Sequence, residues 1–394
     1  MHRRVPLVSG VVIAGVFACT VSAQSATLRS IGVDTSRATV PLEEILSGGP
    51  PPQGIPALGF GGDHVGAAGR SPAPHFVTQA EATWLGAEEP VIVLQLGKTS
   101  RIYPLQILTW HEIVNDTLGG VPVAVTFCPL CNSALAFDRR VPLSEEAAVQ
   151  VQRLNPAAKL VLPAAYLKAF AEQQGEGELE GGLEVTFGVS GLLYNSNLLM
   201  FDTQSSTLWS QLVGEAVVGS LTGTTLLRYP APIVSFREAQ KNYPEARVLS
   251  RETGFSRAYG RNPYVGYDAI DSPAFLFRGV TDGRLPAKER VVTFELGSET
   301  VAYPFSDLAT RRVVNDEVGG QAVAVFWAEG TRSALDTGDI AEGRDIGAVN
   351  VFYRRLNGQP LRSAGGTARF TTGKRGHGGR FWAEPSLENL PGSS

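Results

Sequence analysis

The stretch Val114-Asn115-Asp116-Thr117-Leu118-Gly119-Gly120-Val121-Pro122-Val123-Ala124-Val125 returns two hundred residues later as Val314-Asn315-Asp316-Glu317-Val318-Gly319-Gly320-Gln321-Ala322-Val323-Ala324-Val325. An offset of 200 aligns the flanks without a gap: Val91, Leu96, Gly97, Tyr103, Pro104, Leu108, Ser133, Ala134 and Leu135 also recur. Self-similarity at a fixed spacing marks an internal repeat and sets the fold organisation before any single element does. In the first copy, 91–96 reads as a strand, 98–100 as a turn and 101–103 as a second strand. Pro104 suits the first turn of a helix running to about residue 114. Asn115-Asp116 and Gly119-Gly120 are read as ending that helix, and 121–127 as a third strand. The fold class expected is α+β, strand-rich, with two tandem homologous lobes. The boundaries expected are a signal peptide over 1–23, an N-terminal arm over 24–90, a first lobe over 91–285 carrying a helical insertion at 141–181, and a second, degenerate lobe over 286–394.

The positions that differ between the copies are the ones capable of chemistry. Trp110-His111-Glu112 becomes Thr310-Arg311-Arg312, while Cys128 and Cys131 become Ala328 and Thr331. The shared positions are those a fold needs: turn glycines, the proline before the helix, apolar strand residues. The first copy is therefore the candidate active lobe and the second its structural partner.

The chain of 394 residues holds three cysteines, two of them in Cys128-Pro129-Leu130-Cys131. A close thiol pair in a cysteine-poor chain handles electrons or grips a soft metal ion. A structural disulfide is the third reading, but a bridge across so short a loop removes little unfolded-state entropy, and a chain this long has enough core to do without one. Pro129 favours a helical first turn at Cys128, where backbone N–H groups and the helix dipole would favour a thiolate. On that expectation Cys128 attacks and Cys131 resolves. His111 lies on the apolar stripe of its helix with Ile107, Leu108 and Val114. There it could move a proton for the thiols or join them as a metal ligand. Soft thiolates would select copper(I), zinc or mercury. Trp110, Glu112, Ser133, Ser190 and Asn195 are the supporting candidates, although a strand-to-strand turn explains Ser190 and Asn195 equally well. His111-Glu112 lacks the second histidine of a zinc-protease helix motif, and His64, His75 and His377 read as loop histidines. No nucleophile elbow, phosphate loop or dinucleotide fingerprint is present.

The net charge of −4 and pI near 5.8 give no basic face for nucleic acid. The start of the chain reads as an export signal: His2-Arg3-Arg4, an apolar run from Val5 to Ala18, and Val21-Ser22-Ala23 before Gln24. Lipidation at Cys19 is the alternative, and membrane attachment is expected only in that case. The expected location is periplasmic or extracellular.

With Trp110-His111-Glu112-Ile113-Val114-Asn115-Asp116, Thr126-Phe127-Cys128-Pro129-Leu130-Cys131-Asn132-Ser133 and Phe137-Asp138-Arg139-Arg140, the chain resembles an uncharacterised bacterial family of unknown function. The likeness continues through Phe187-Gly188-Val189-Ser190-Gly191-Leu192-Leu193-Tyr194-Asn195-Ser196, Leu208-Trp209-Ser210-Gln211 and Asn262-Pro263-Tyr264. The 141–181 insertion departs from the compact family pattern. Some members are named as selenoproteins, which implies redox or soft-metal chemistry and no established activity. The function expected is an exported thiol–disulfide protein acting through Cys128, Cys131 and His111 on an unidentified redox partner or small molecule. A soft-metal binding protein and a non-catalytic scaffold are the alternatives.

Overall fold

The computed structural model describes residues 24–61, 71–141, 183–356 and 359–360. The expected leader with Cys19, His64, the expected insertion beyond Val141, and residues 373–379 with His377 lie outside the described residues. The chain is strand-rich with few helices and several sheets, as expected.

Residues of the 24–90 segment pack into the core, among them Leu28 and Ile45. A single 3-10 turn, Leu42–Glu44, leads into strand β1 (Ile45–Ser47), and β2 is Phe76–Val77. Ala57, Leu58 and Phe60 are buried. Leu58 donates its N–H to the Ile113 carbonyl at 2.8 Å and accepts from the Asn115 N–H at 2.9 Å. Residues 79–85, which carry a helical pattern, form turns.

The hairpin β3 (Pro90–Leu96) and β4 (Thr99–Pro104) runs straight into helix α1 (Leu105–His111). That helix stops three residues before the sequence pattern does. Glu112 takes a positive φ of 58° and returns its N–H to Leu108, and the β-branched pair Ile113-Val114 opens strand β5 (Ile113–Leu118). Asn115 and Asp116 therefore sit in a strand, not at a helix end. Gly119 and Gly120, both at positive φ (60° and 85°), form the two-residue turn to β6 (Val121–Cys128). Positive φ at both central positions is what a hairpin of right-twisted strands demands.

The chain continues through β7 (Ser133–Asp138), β8 (Arg140–Val141), β9 (Leu183–Glu184), β10 (Phe187–Tyr194), β11 (Asn197–Asp202), β12 (Leu208–Ser210), β13 (Glu215–Val218), β14 (Arg228–Tyr229), β15 (Ile233–Ser235), helix α2 (Phe236–Asn242) and β16 (Arg247–Leu249). Three larger sheets result among the described residues, ordered β1-β10-β11-β12-β13, β14-β7-β6-β5 and β15-β3-β4-β16-β2, and β8 pairs with β9. Strand β6 is buried along its whole length, and its side chains alternate between two cores. Val123, Val125 and Phe127 face the cluster of Tyr103, Leu105 and Leu108, whereas Ala124 and Cys128 face that of Phe187, Met200 and Trp209.

The later stretch repeats this framework: β17 (Val291–Leu296), β18 (Glu299–Pro304), helix α3 (Phe305–Arg311), β19 (Val313–Val318) and β20 (Gln321–Ala328). Strand pairing keeps the same register, with Val91 opposite Pro104 and Val291 opposite Pro304, Ile113 opposite Thr126 and Val313 opposite Phe326. Side-chain bonds recur too: the Tyr103 hydroxyl donates to Asp116 at 2.7 Å and Tyr303 to Asp316 at 2.8 Å. The ungapped match fails after β20. Its next partner is β21 (Ala348–Tyr353), with Ala328 opposite Ala348, where Cys128 lies opposite Ser133. The offset has grown to 348 − 133 = 215, and Phe137-Asp138-Arg139-Arg140 corresponds to Phe352-Tyr353-Arg354-Arg355. Arg139 and Arg354 make matching bonds, Nε to the Val123 carbonyl at 3.1 Å and to the Val323 carbonyl at 3.2 Å. Ser333-Ala334-Leu335 is not a strand. It packs Ala334 and Leu335 into the Tyr103 cluster.

Candidate active site

Cys128 ends β6, and residues 129–132 are the turn to β7. No helix begins at Pro129; Asn132 donates its N–H to the Pro129 carbonyl at 3.3 Å and takes a positive φ of 47°, a conformation asparagine tolerates. The dipole argument for Cys128 therefore falls. Both cysteines are free thiols, Cys128 buried and Cys131 partly exposed. The scaffold reading weakens further, because strand pairing already pins the ends of the four-residue turn.

The environments of the two sulfurs differ. Asn197 Nδ2 donates to Cys131 Sγ at 3.1 Å, and Ser133 Oγ lies 3.2 Å away. Gln211 Oε1 accepts from Ser133 Oγ at 2.9 Å and from Asn197 Nδ2 at 3.1 Å. Gln211 is held in turn by donating to Thr126 Oγ1 at 2.9 Å. Burial opposes ionisation of Cys131, but its hydrogen bonding with Cys128, Ser133, Asn197 and the Leu198 N–H outweighs it and holds this thiol below its ordinary range. Cys128 goes the other way. Its burial, then the hydrogen bond to Cys131 and the negative charges of Cys131 and Glu112, push it well up.

Asn197 and Leu198 arrive by way of the β10–β11 hairpin, whose turn is Asn195-Ser196 with φ of 47° and 69°. The expected 190–197 turn is mostly strand. Ser190 lies in β10, where its hydroxyl bonds the Leu199 carbonyl and receives the Leu192 N–H at the bulge. It serves the strand, and the supporting role expected of it does not hold. Asn195 makes the turn that presents Asn197.

Trp110, His111 and Glu112 act on a different partner from the one expected. Trp110 Nε1 donates to the Arg261 carbonyl at 3.1 Å, and the Tyr264 hydroxyl donates to Glu112 Oε1 at 3.4 Å. His111 is fully buried between Phe255 and Tyr259. Its Nδ1 lies 2.7 Å from the Pro56 carbonyl, so that nitrogen carries the proton, and Nε2 accepts from the Tyr259 hydroxyl at 2.6 Å. Both ring nitrogens are thus committed away from the sulfurs. The proton-transfer and metal-ligand roles expected of His111 are corrected to a structural one. Burial first, then the charge of Arg257, holds its pKa down at about 4. Among the described residues no three His, Cys, Asp or Glu side chains gather as a metal-ligating set.

Glu112 is the member of the trio whose charge is felt by the thiols. It caps the C-terminal end of α1, and its carbonyl accepts the Phe127 N–H at 2.8 Å, one residue before Cys128. Burial, then the charge of Cys131, raises its pKa to about 8 against the pull of the Tyr264 hydrogen bond. Tyr264, Asn197, Gln211 and Thr126 complete the site. All four stood within or beside the quoted motifs, but only the folding of distant strands shows that they meet.

No curated protein and no solved structure matches the chain. A family model described as a protein of unknown function (DUF3179) matches residues 52–390. The thiol turn, the polar shell around it, the segment carrying Tyr264 and the second unit all lie within that match, and the chain belongs to this family.

Proposed function

We propose that this protein is an exported thiol–disulfide redox protein in which Cys131 attacks and Cys128 resolves. The observation that carries the reading is the asymmetry of the pair: a partly exposed cysteine whose sulfur receives an N–H from Asn197, beside a buried cysteine whose sulfur receives no side-chain N–H among the described residues. Attack of the Cys131 thiolate on a substrate disulfide forms a mixed disulfide and releases one substrate thiolate. Cys128 then displaces the second and closes a Cys128–Cys131 bond, so two electrons pass to the substrate. Oxidation of a dithiol substrate is the same sequence reversed. Export rests on the leader pattern over 1–23.

We further read the two framework units as a tandem duplication, supported by the shared registers, the paired Tyr–Asp bonds and the Arg139 and Arg354 contacts. The first unit holds the chemistry, and the second is its structural partner. The test is a titration of the purified protein in defined dithiol buffers together with its metal content. A metal-free pair with a potential between about −120 and −270 mV supports the reading. A potential below about −300 mV, or one bound metal equivalent lost in Cys128→Ser, would overturn it.

A further inference from the structure

Resting on the thiol-exchange reading, we infer that Glu112 is the group that takes the proton from Cys128 when the pair closes. The buried thiol must lose a proton to act as a nucleophile, and the histidine expected to receive it is fully engaged by Pro56 and Tyr259. Glu112 is 6% exposed. Its one hydrogen-bonding partner through the side chain is Tyr264, and no cation pairs with it among the described residues. A buried carboxyl without a counter-ion is unfavourable unless it is protonated, and such groups mark acid–base sites. The titratable groups facing it are Cys128 from β6, Cys131 from the turn and Tyr264 from the covering segment.

The second unit supplies an independent argument. Arg312 occupies the corresponding place with the same backbone, φ 63° and an N–H returned to Leu308 at 2.7 Å. The positive φ therefore belongs to the framework. Only the side chain changes, from a carboxyl to a guanidinium stacked on Trp327, in the unit where Ala328 stands for Cys128 and a longer loop replaces the turn carrying Cys131.

The steps balance as follows. In the reduced pair the Cys131 thiolate raises the proton affinity of Glu112, which is protonated. Attack of that thiolate on an organic disulfide forms the mixed disulfide and breaks the substrate S–S bond; the first leaving sulfur takes a proton. With the thiolate charge gone, Glu112 releases its proton to solvent, and the resulting carboxylate accepts the proton of Cys128. The Cys128 thiolate attacks Cys131 Sγ, the mixed disulfide breaks, and the second substrate sulfur leaves as a thiolate that is protonated from solvent. Two protein thiols are oxidised and one substrate disulfide is reduced.

The experiment mixes the full-length reduced protein with the aromatic disulfide dithionitrobenzoate and follows release of the coloured thiolate by stopped flow. Wild type releases one equivalent by Cys131 attack and a second by Cys128 closure. Glu112→Gln keeps the first phase within a few-fold and slows the second on the order of 10²-fold, the scale of a lost general base. It also removes the pH dependence of the second phase. Glu112→Asp restores part of the rate, which a purely structural role does not predict, and circular dichroism of both variants reports folding directly. An unchanged second phase in Glu112→Gln overturns the assignment while leaving thiol exchange intact. Absence of the first phase in wild type overturns the thiol-exchange reading itself, and Glu112's role with it.

Discussion

Strands β6–β7 and β20–β21 pair in the same register over the same framework, yet one turn spans residues 129–132 and the other 329–347. The short turn presents a thiol. The long one reaches back to the first unit and holds it. Arg332 pairs with Glu88 at 2.9 Å, Asn262 Nδ2 donates to the Thr337 carbonyl at 3.0 Å, and the Ile340 N–H donates to the Gly260 carbonyl at 3.0 Å. Residues 260–266, which carry Tyr264, are thereby gripped from one side by Trp110 and Glu112 and from the other by the second unit. The difference teaches that the repeated framework sets positions while the turn after its fourth strand sets the task.

The largest expected effect tests whether chemistry belongs to one turn only. Cys131→Ser should lower exchange with a model disulfide by at least about 10³-fold, the scale of losing a nucleophile. Installing Ala328→Cys with Thr331→Cys in the second unit should restore nothing, since among the described residues no Asn or Gln side chain bonds to either position. Recovery of activity in the second design would break the contrast.

Next is the triplet that matches in sequence and diverges in structure. Leu335→Ala removes a fully buried side chain from the first unit's core and should cost about 2–5 kcal/mol in denaturant unfolding. Leu135→Ala, at a partly exposed strand position, should cost less than half of that. Equal losses would contradict the different placement of the two leucines.

The tyrosine pair makes a finer comparison. Tyr103→Phe strips a hydrogen bond from the buried Asp116, which Arg101 continues to pair, and should cost about 1–3 kcal/mol. Tyr303→Phe, in an exposed bond, should fall within about 0.5 kcal/mol of wild type.

The smallest effect is in the pH dependence of stability. Glu112 is raised from 4.5 to about 8 in the fold, so between those values the native state holds a proton that the unfolded state releases. Its contribution is full below about 4.5 and is lost as pH rises through 8. His111, lowered from 6.5 to about 4, acts oppositely and loses its contribution as pH falls through that range. Between 6.5 and 8 Glu112 alone of the two operates, and Glu112→Gln should flatten the decline seen in wild type by thermal unfolding across that window.

Much of this was legible in the chain. The strand-rich character and the strands over 91–96, 101–103 and 121–127 follow from apolar runs and glycine pairs. What misled was local and physical. Gly119-Gly120 ends a helix or turns a hairpin equally well by sequence, and the β-branched Ile113-Val114 decides for the hairpin. Pro129 suits a helix start, but pairing of Cys128 with Ser133 leaves room only for a turn. The Ser-Ala-Leu match hid the longer second loop, which the recurrence of Phe-x-Arg-Arg at 137 and 352 would have disclosed. His111 shared the apolar stripe as expected, yet Tyr259, which occupies its free nitrogen, is far away in sequence.

The order of the two sulfurs is the centre of the account, and limiting alkylation reads it directly. The reduced full-length protein is treated near neutral pH with less than one equivalent of iodoacetamide, and the label is mapped by peptide mass spectrometry. The account predicts modification at Cys131, with Asn197→Ala reducing its rate. Preferential labelling of Cys128 would contradict it.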